Sequence, residues 1–308
     1  CRQPARAARK RSRAAERSGV RDRRRAPIRR LARPPVPVPF EPGQEDEGRW
    51  QRLTRAQPHI VRRYRIERED WPSGHPPLRI ALLSDAHIGS HAGDVERHLR
   101  ICAEVNRLGV DLVLLLGDYV NMMPYFGGRV PPEEIARIYA ELKSPLGTFA
   151  VLGNHDWEYG GEAFARAFAA RGIDLHENSG VRLRHQGAAI HLAGLAETQY
   201  RRPDLEAALA GALAGDPVIV MSHDPACFGE FANRSGVMVA GHTHGGQWRL
   251  PFIGPLWIPG KAPRAWSRGM IHDQDCTLIV SSGIGTSNLP LRINCPPEIV
   301  IVEISGKA

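Results

Sequence analysis

Eight side chains of this 308-residue chain have the types and the spacing to do chemistry together: Asp85, His87, Asp118, Asn154, His155, His223, His242 and His244. They lie in five short blocks: Ser84-Asp85-Ala86-His87, Gly117-Asp118-Tyr119, Gly153-Asn154-His155-Asp156, Ser222-His223-Asp224 and Gly241-His242-Thr243-His244-Gly245-Gly246. One block alone would say little, because a single histidine is more often a satisfied loop or core residue. Taken together, five of the 13 histidines stand just after apolar runs, each near a glycine or a carboxylate. Carboxylate, amide oxygen and imidazole suit Mn, Fe, Zn or Ni, with Mg a poorer match. They do not suit a thiolate zinc site or a calcium cage. Seven ligands, Asp85, His87, Asp118, Asn154, His223, His242 and His244, exceed the needs of one tetrahedral ion. They suffice for two ions if one carboxylate bridges. Two ions about 3.5–4 Å apart activate a water and clamp an in-line displacement at phosphorus, which makes a phosphoester the natural substrate class. Acyl hydrolysis at an aminopeptidase-type two-metal site is the competing reading.

The runs that carry these blocks read as short buried strands over residues 78–84, 111–116, 148–152, 217–221 and 237–240. Strand C-termini are where open α/β sheets bind ligands. Helical spacing appears over 94–108, 132–142, 162–170 and 203–214. Residues 181–185 and 188–192, split by Gln186-Gly187, read as a hairpin. Residues 60–66 form a candidate edge strand, and 277–281 and 299–304 close the chain as strands. Helices alternate with strands early and strands dominate late, as in α/β layers built around sheets.

Residues 1–34 carry a net charge of +12, which leaves −4 for the other 274. The overall +8 is therefore a property of the tail, and the basic balance does not make the folded part a nucleic-acid binder. Residues 1–48 pass from Arg/Ala through Pro34-Pro35-Val36-Pro37 to an acidic patch and read as disordered. Residues 49–77 form an extension holding the edge strand, and 78–308 form one domain. The five scattered cysteines include no CxxC pair, so neither a disulfide framework nor a zinc ribbon is expected. No apolar run has the length of a membrane helix, no signal peptide is evident, and P-loop, GxSxG and HExxH motifs are absent. Two apolar, Pro-containing loops adjoin the blocks: Met122-Met123-Pro124-Tyr125-Phe126, and the stretch from Trp248 to Ile258. They read either as packing over the sheet edge or as a contact for acyl chains or a membrane surface.

In this order and spacing the five blocks resemble the calcineurin-like metallophosphoesterase superfamily over about residues 78–305. Gly245-Gly246-Gln247, Ser282-Gly283-Ile284-Gly285-Thr286-Ser287, Pro290-Leu291-Arg292 and Pro296-Pro297-Glu298-Ile299 look like one branch of it, the YaeI/YkuE type. That branch includes transmembrane metallophosphoesterase-domain proteins and enzymes hydrolysing UDP-2,3-diacylglucosamine. The resemblance implies a four-layer αββα sandwich: two mixed β-sheets flanked by helices, with the active site at strand C-terminal ends. It implies two divalent metal ions. Asp85, His87 and His244 would hold one, Asn154, His223 and His242 the other, and Asp118 would bridge. His155 would be catalytic, stabilising the phosphate or protonating the leaving alkoxide, and Asp156 would orient a neighbour. Many relatives place an acid three residues after the Gly-Asp pair to hold this histidine. Here that residue is Asn121, which can hydrogen-bond an imidazole without stabilising its cation. Asn121, Gln247 and Arg292 are candidate substrate contacts.

The expected activity is hydrolysis of a phosphodiester or pyrophosphate bond, on a lipid-linked substrate such as the UDP-2,3-diacylglucosamine of lipid A biosynthesis. The alternatives are a phosphomonoesterase or protein phosphatase, or a nuclease using the basic tail. The expected location is the cytoplasm or the inner-membrane surface, with peripheral contact to anionic lipid and no protein partner implied.

Overall fold

The computed structural model describes residues 55–72, 74–123, 127–232 and 234–307. The tail expected to be disordered, and Pro124-Tyr125-Phe126 of the first apolar loop, lie outside them. Two six-stranded sheets dominate the described residues. The first holds β1 (Ile60–Arg68), β2 (Leu78–Leu83), β3 (Leu112–Leu115), β4 (Thr148–Ala150) and β5 (Asp174–Leu175), and is completed by the last strand, β14 (Glu298–Gly306). Its order is β1-β14-β2-β3-β4-β5. The strands β2, β3 and β4 run parallel, and β14 is antiparallel to β2. The second sheet holds β6 (Ser179–His185), β7 (Ala188–Gly194), β8 (Val218–Met221), β9 (Gly236–Ala240), β12 (Gly269–Asp273) and β13 (Cys276–Val280), in the order β12-β13-β9-β8-β7-β6. A separate two-stranded hairpin joins β10 (Arg249–Leu250) to β11 (Gly254–Pro255).

Alternation within the strands explains the layering. Leu78, Ile80 and Leu82 of β2 and Val300 and Val302 of β14 face Leu192, Ile219, Met221, Val237 and Val239 of the second sheet. The intervening Ala81, Leu83, Val113 and Leu115 turn outward, onto α1 (Asp94–Arg107), α2 (Pro132–Tyr139) and α3 (Asn154–Ala169), where Ile101, Val105, Ile138, Phe164 and Phe168 meet them. Val220, Met238 and Leu278 pack on the far side against α4 (Leu205–Leu209) and α5 (Phe228–Phe231). Strands buried on both faces read as unbroken apolar runs, which is why β2, β3, β8 and β9 stand out in the sequence. The result is a mixed α/β fold of four layers. No helix of the described residues is long and apolar enough to cross a membrane.

Three elements depart from expectation. The helix expected from 162 begins at Asn154, because Asp156 at its third position accepts the Gly153 N–H at 2.9 Å and caps the first turn. Gly160 sits inside this helix at φ 152 and kinks it, which disguises the start. The helix expected over 203–214 shrinks to Leu205–Leu209, and Gly215 takes a left-handed φ of 87 soon after it. The largely exposed β12 has no apolar run to announce it.

Candidate active site

The C-terminal ends of β2, β3, β4, β8 and β9 converge on one region. The backbone turns sharply there. Asp85, His87, Asp118, His242 and His244 all have positive φ, between 42 and 65. Asp and His tolerate this left-handed region better than most residues, but it is strained, and such strain concentrates at functional sites. Two glycines make room. A Cβ on Gly153 would lie 2.2 Å from Asp118 Oδ1, and one on Gly241 would lie 1.8 Å from Ser84 Oγ and 2.5 Å from Asp85 Oδ2. The His242 backbone N–H donates to both Asp85 carboxylate oxygens at 3.0 Å, tying the end of β9 to the end of β2.

Two groups of ligand atoms result, each drawn from both sheets. In the first, His87 Nε2 is 3.1 Å from His244 Nε2, and His244 Nε2 is 3.5 Å from Asp85 Oδ1. In the second, His223 Nε2 lies 3.1 Å from His242 Nδ1, 3.3 Å from Asn154 Oδ1 and 3.2 Å from Asp118 Oδ2. Asp118 Oδ2 is also 3.7 Å from His87 Nε2, so one carboxylate oxygen stands between the groups. Asp118 Oδ1 accepts the His155 backbone N–H at 2.9 Å, which leaves Oδ2 to face the histidines. His223 Nδ1 sits 2.7 Å from the Leu116 carbonyl, a contact that assigns the ring proton to Nδ1 and frees Nε2 as a ligand atom.

The electrostatics fit cations. Burial pulls His87 down to about 3 and His242 to about 4, and holds His244 well below the usual value, so these rings are neutral and their lone pairs are available. Burial also pulls His223 down, but the Asp118 carboxylate outweighs it and holds this ring well above its usual value. Burial pushes Asp118 up, yet the charges of His223 and His155 keep its carboxyl well below the usual range. Burial, helped by the neighbouring Asp118 charge, pushes Asp85 up to about 6 against the opposing pull of His223 and Arg292. Convergent imidazole and carboxylate atoms at these distances, shielded from water, form a donor set that suits two divalent ions.

His155 stands beside both groups, and its ring nitrogen forms a third cluster of possible ligand atoms with His87 and Asp118, all three following strands of the first sheet. Its Nε2 is 4.0 Å from Asp118 Oδ2, its ring meets His87 edge-on at 5.1 Å, and its side chain is partly exposed. The acid facing it is Glu158, one turn along α3, with Oε2 3.6 Å from His155 Nδ1. Burial lowers the pKa of His155, but Asp118 and Glu158 together raise it above the usual value. Glu158 is a residue that the sequence reading missed. The signal was an i,i+3 pair on a helix whose start was misplaced. Asp156 is fully buried and accepts the backbone N–H groups of Asp118 and Tyr119 at 2.8 Å, so it shapes the turn that presents Asp118.

Of the three candidate substrate contacts, only Gln247 lines the cavity. Asn121 is buried, donates to the Gly128 carbonyl at 3.0 Å and accepts the Met123 N–H at 3.0 Å; it braces loops and does not line the cavity. Arg292 is also buried. Its guanidinium donates to the carbonyls of Gly285, Ser282 and His244 and reaches within 3.4 Å of His244 Nδ1, so it clamps the turn that carries a ligand. Gln247 lines the cavity, but its amide latches Ser287 and Leu289. Gln199, absent from the sequence reading, also lines the cavity.

That cavity measures about 460 Å³. Asp118, Asn154, His155, His242 and His244 form its floor, and Trp248, Leu256, Trp257, Pro259 and Leu289 are on its rim. The loop after Trp248 is not folded away as packing: Trp257 is 62% exposed and Phe252 fully exposed.

Residues 78–246 match the family model of calcineurin-like phosphoesterases. The chain is 26% identical to the uncharacterized metallophosphoesterase YkuE of Bacillus subtilis over 81% of this chain and 87% of that protein. It is 30% identical to an uncharacterized metallophosphoesterase of Aquifex aeolicus over 80% of this chain and 92% of that one. A transmembrane protein with metallophosphoesterase domain from Danio rerio is 28% identical over 81% of this chain and 58% of its own length. Among solved structures, a 5′-nucleotidase precursor from Thermus thermophilus is similar with a TM-score of 0.44 at 16% identity, over 67% of this chain and 49% of that one.

Proposed function

Because the chain belongs to the calcineurin-like phosphoesterase family and is a metallophosphoesterase, a hydrolase of phosphoric esters, we propose that it cleaves a phosphodiester or pyrophosphate bond in a substrate with a large apolar portion. The observation that carries this reading is the two-sided cavity, with imidazoles and a carboxylate below and Trp248, Leu256, Trp257 and Leu289 above. Asp85, His87 and His244 would hold one divalent ion and Asn154, His223 and His242 the second, with Asp118 placed to serve both. Bound ions supply Lewis-acid polarisation of the phosphoryl group and activate the attacking water. The protein's own part is placement. His155 points past Asp118 into the cavity, where it donates a hydrogen bond to the phosphoryl oxygens or a proton to the leaving alkoxide. Glu158 holds the His155 ring from behind. The N-terminus of α3 directs its first N–H groups, including that of His155, at the Asp118 side of the site. The tryptophans exclude water and bind the apolar portion. A lipid-linked nucleotide such as UDP-2,3-diacylglucosamine has this chemistry, and action at the cytoplasm or the inner-membrane surface belongs to the same reading.

The test compares bis(p-nitrophenyl) phosphate with p-nitrophenyl phosphate. Enzyme stripped by chelator is reloaded with Mn, Zn, Ni, Fe or Mg. Metal-restored preference for the diester is the expected result, followed by turnover of UDP-2,3-diacylglucosamine. Preference for the monoester makes the protein a phosphomonoesterase or protein phosphatase instead.

A further inference from the structure

The large apolar side chains left exposed among the described residues are not scattered. Most lie in two segments, at 250–257 and 289–293. These segments form one surface: Arg249 N–H donates to the Ile293 carbonyl at 3.0 Å, Ile293 N–H to the Gln247 carbonyl at 2.9 Å, and the Trp248 indole to the Leu291 carbonyl at 2.8 Å. The most prominent part is the hairpin of β10 and β11. Its tip presents Phe252, fully exposed, and Ile253, 65% exposed. Phe252 holds a φ of 65, a conformation costly for a bulky residue, and no core packing repays it.

The charge around this tip is one-sided. Residues 245–272 contain Arg249, Lys261, Arg264 and Arg268 and no Asp or Glu, although the chain after residue 34 is net acidic. None of these four cations forms an ion pair among the described residues. Arg249 and Arg268 flank the same shallow depression beneath Phe252.

We propose that the hairpin docks the protein on an anionic lipid bilayer, with Phe252 and Ile253 entering the interface and Lys261, Arg264 and Arg268 meeting lipid phosphates, while Arg249 donates to the Gly245 carbonyl and Ser267 Oγ at the hairpin base. The surface is convex, with apolar groups at a turn tip, which suits a fluid acceptor; a protein partner would need a shaped and acidic pocket to receive it. Because Leu256 and Trp257 belong both to this surface and to the cavity rim, docking faces the cavity mouth toward the lipid. The inference goes beyond the proposed hydrolysis: it shares Leu256, Trp257 and Leu289 with the cavity rim but is carried by Phe252, Ile253 and the surrounding cations, none of which lines the cavity.

The test is co-sedimentation of the full chain with vesicles of phosphatidylcholine alone or with about 30% phosphatidylglycerol. It is run at physiological salt and at about 0.5 M, where attraction of the basic tail is screened. The wild type should bind the anionic vesicles. Phe252→Ser combined with Ile253→Ser should lower partitioning about tenfold or more at both salts. Lys261→Glu should lower it about fivefold at the lower salt. Leu213→Ser, exposed elsewhere, should not change it. Thermal melting shows whether each variant folds. Binding by the double variant equal to wild type assigns membrane contact to the tail and overturns the proposal, as does a wild type that binds no vesicles. Neither outcome bears on hydrolysis, which is assayed without lipid.

Discussion

In and beneath the floor of the cavity, Asp85, His87, Asp118, His223, His242 and His244 are all buried, and each is fixed by its backbone turn or by a contact to a neighbouring carbonyl or N–H. Across the cavity, Leu256 and Trp257 are exposed and belong to loops with little regular structure. The floor brings its ligand atoms to 3.1–3.7 Å from one another, so few residue types will do at each position. The rim needs only apolar area, which many side chains supply. Chemistry and specificity are thus built with different tolerances, and the same kind of substitution should act differently on the two.

The largest effect is expected at the carboxylate shared by the two ligand groups. Asp118→Ala should lower bound metal below two ions per chain and reduce turnover by about a thousandfold or more, read by elemental analysis and steady-state kinetics. Retained turnover in metal-free Asp118→Ala would defeat the mechanism. His155→Ala should keep both ions and lose about 10²–10⁴ in kcat, which separates a group that acts on substrate from one that holds metal. On the rim, Trp257→Ser should raise KM for an acylated substrate about tenfold and leave kcat, metal content and Tm nearly unchanged. A fall in Tm or in metal content would mean that rim and floor are coupled. The smallest effect is expected at Glu158→Gln, a loss of about three- to tenfold in kcat with metal content unchanged. Addition of Asn121→Asp to that variant should not restore activity, since Asn121 braces loops away from the cavity.

The floor was legible in the sequence because each ligand block ends an apolar run buried on both faces, and burial of that kind leaves an unbroken hydrophobic signature. The assignment of the ligands to two groups rested on the resemblance to calcineurin-like metallophosphoesterases, not on the residues alone. Glu158 was not legible, because Gly160-Gly161 interrupts the helical pattern and hides the turn that aims it at His155. Nor was the role of Arg292. An arginine in a Pro-rich segment looks ready for a phosphate, and only the tertiary packing of the 282–295 segment commits its donors to carbonyls. The rim was half legible. Its apolar content was plain, but whether such a loop folds inward or stands in solvent depends on what already covers the sheet edge. β12 left no signal, because a mostly exposed edge strand keeps its polar composition.

The division of each ligand group between the two sheets has a further consequence, for the order of events during folding. An ion held by Asp85 and His244 closes a chain loop of about 160 residues. In the Asp85-His87-His244 and Asp118-His223-His242 groups neither sheet alone offers the full set of donors, so these two groups are complete only where both sheets meet. Ions held by these two groups would be taken up once the sheets have stacked and would then act as cross-links across the seam. Metal release during denaturation should therefore track separation of the sheets and not fraying of the helices, and the rate of metal exchange becomes a clock for how often that seam breathes.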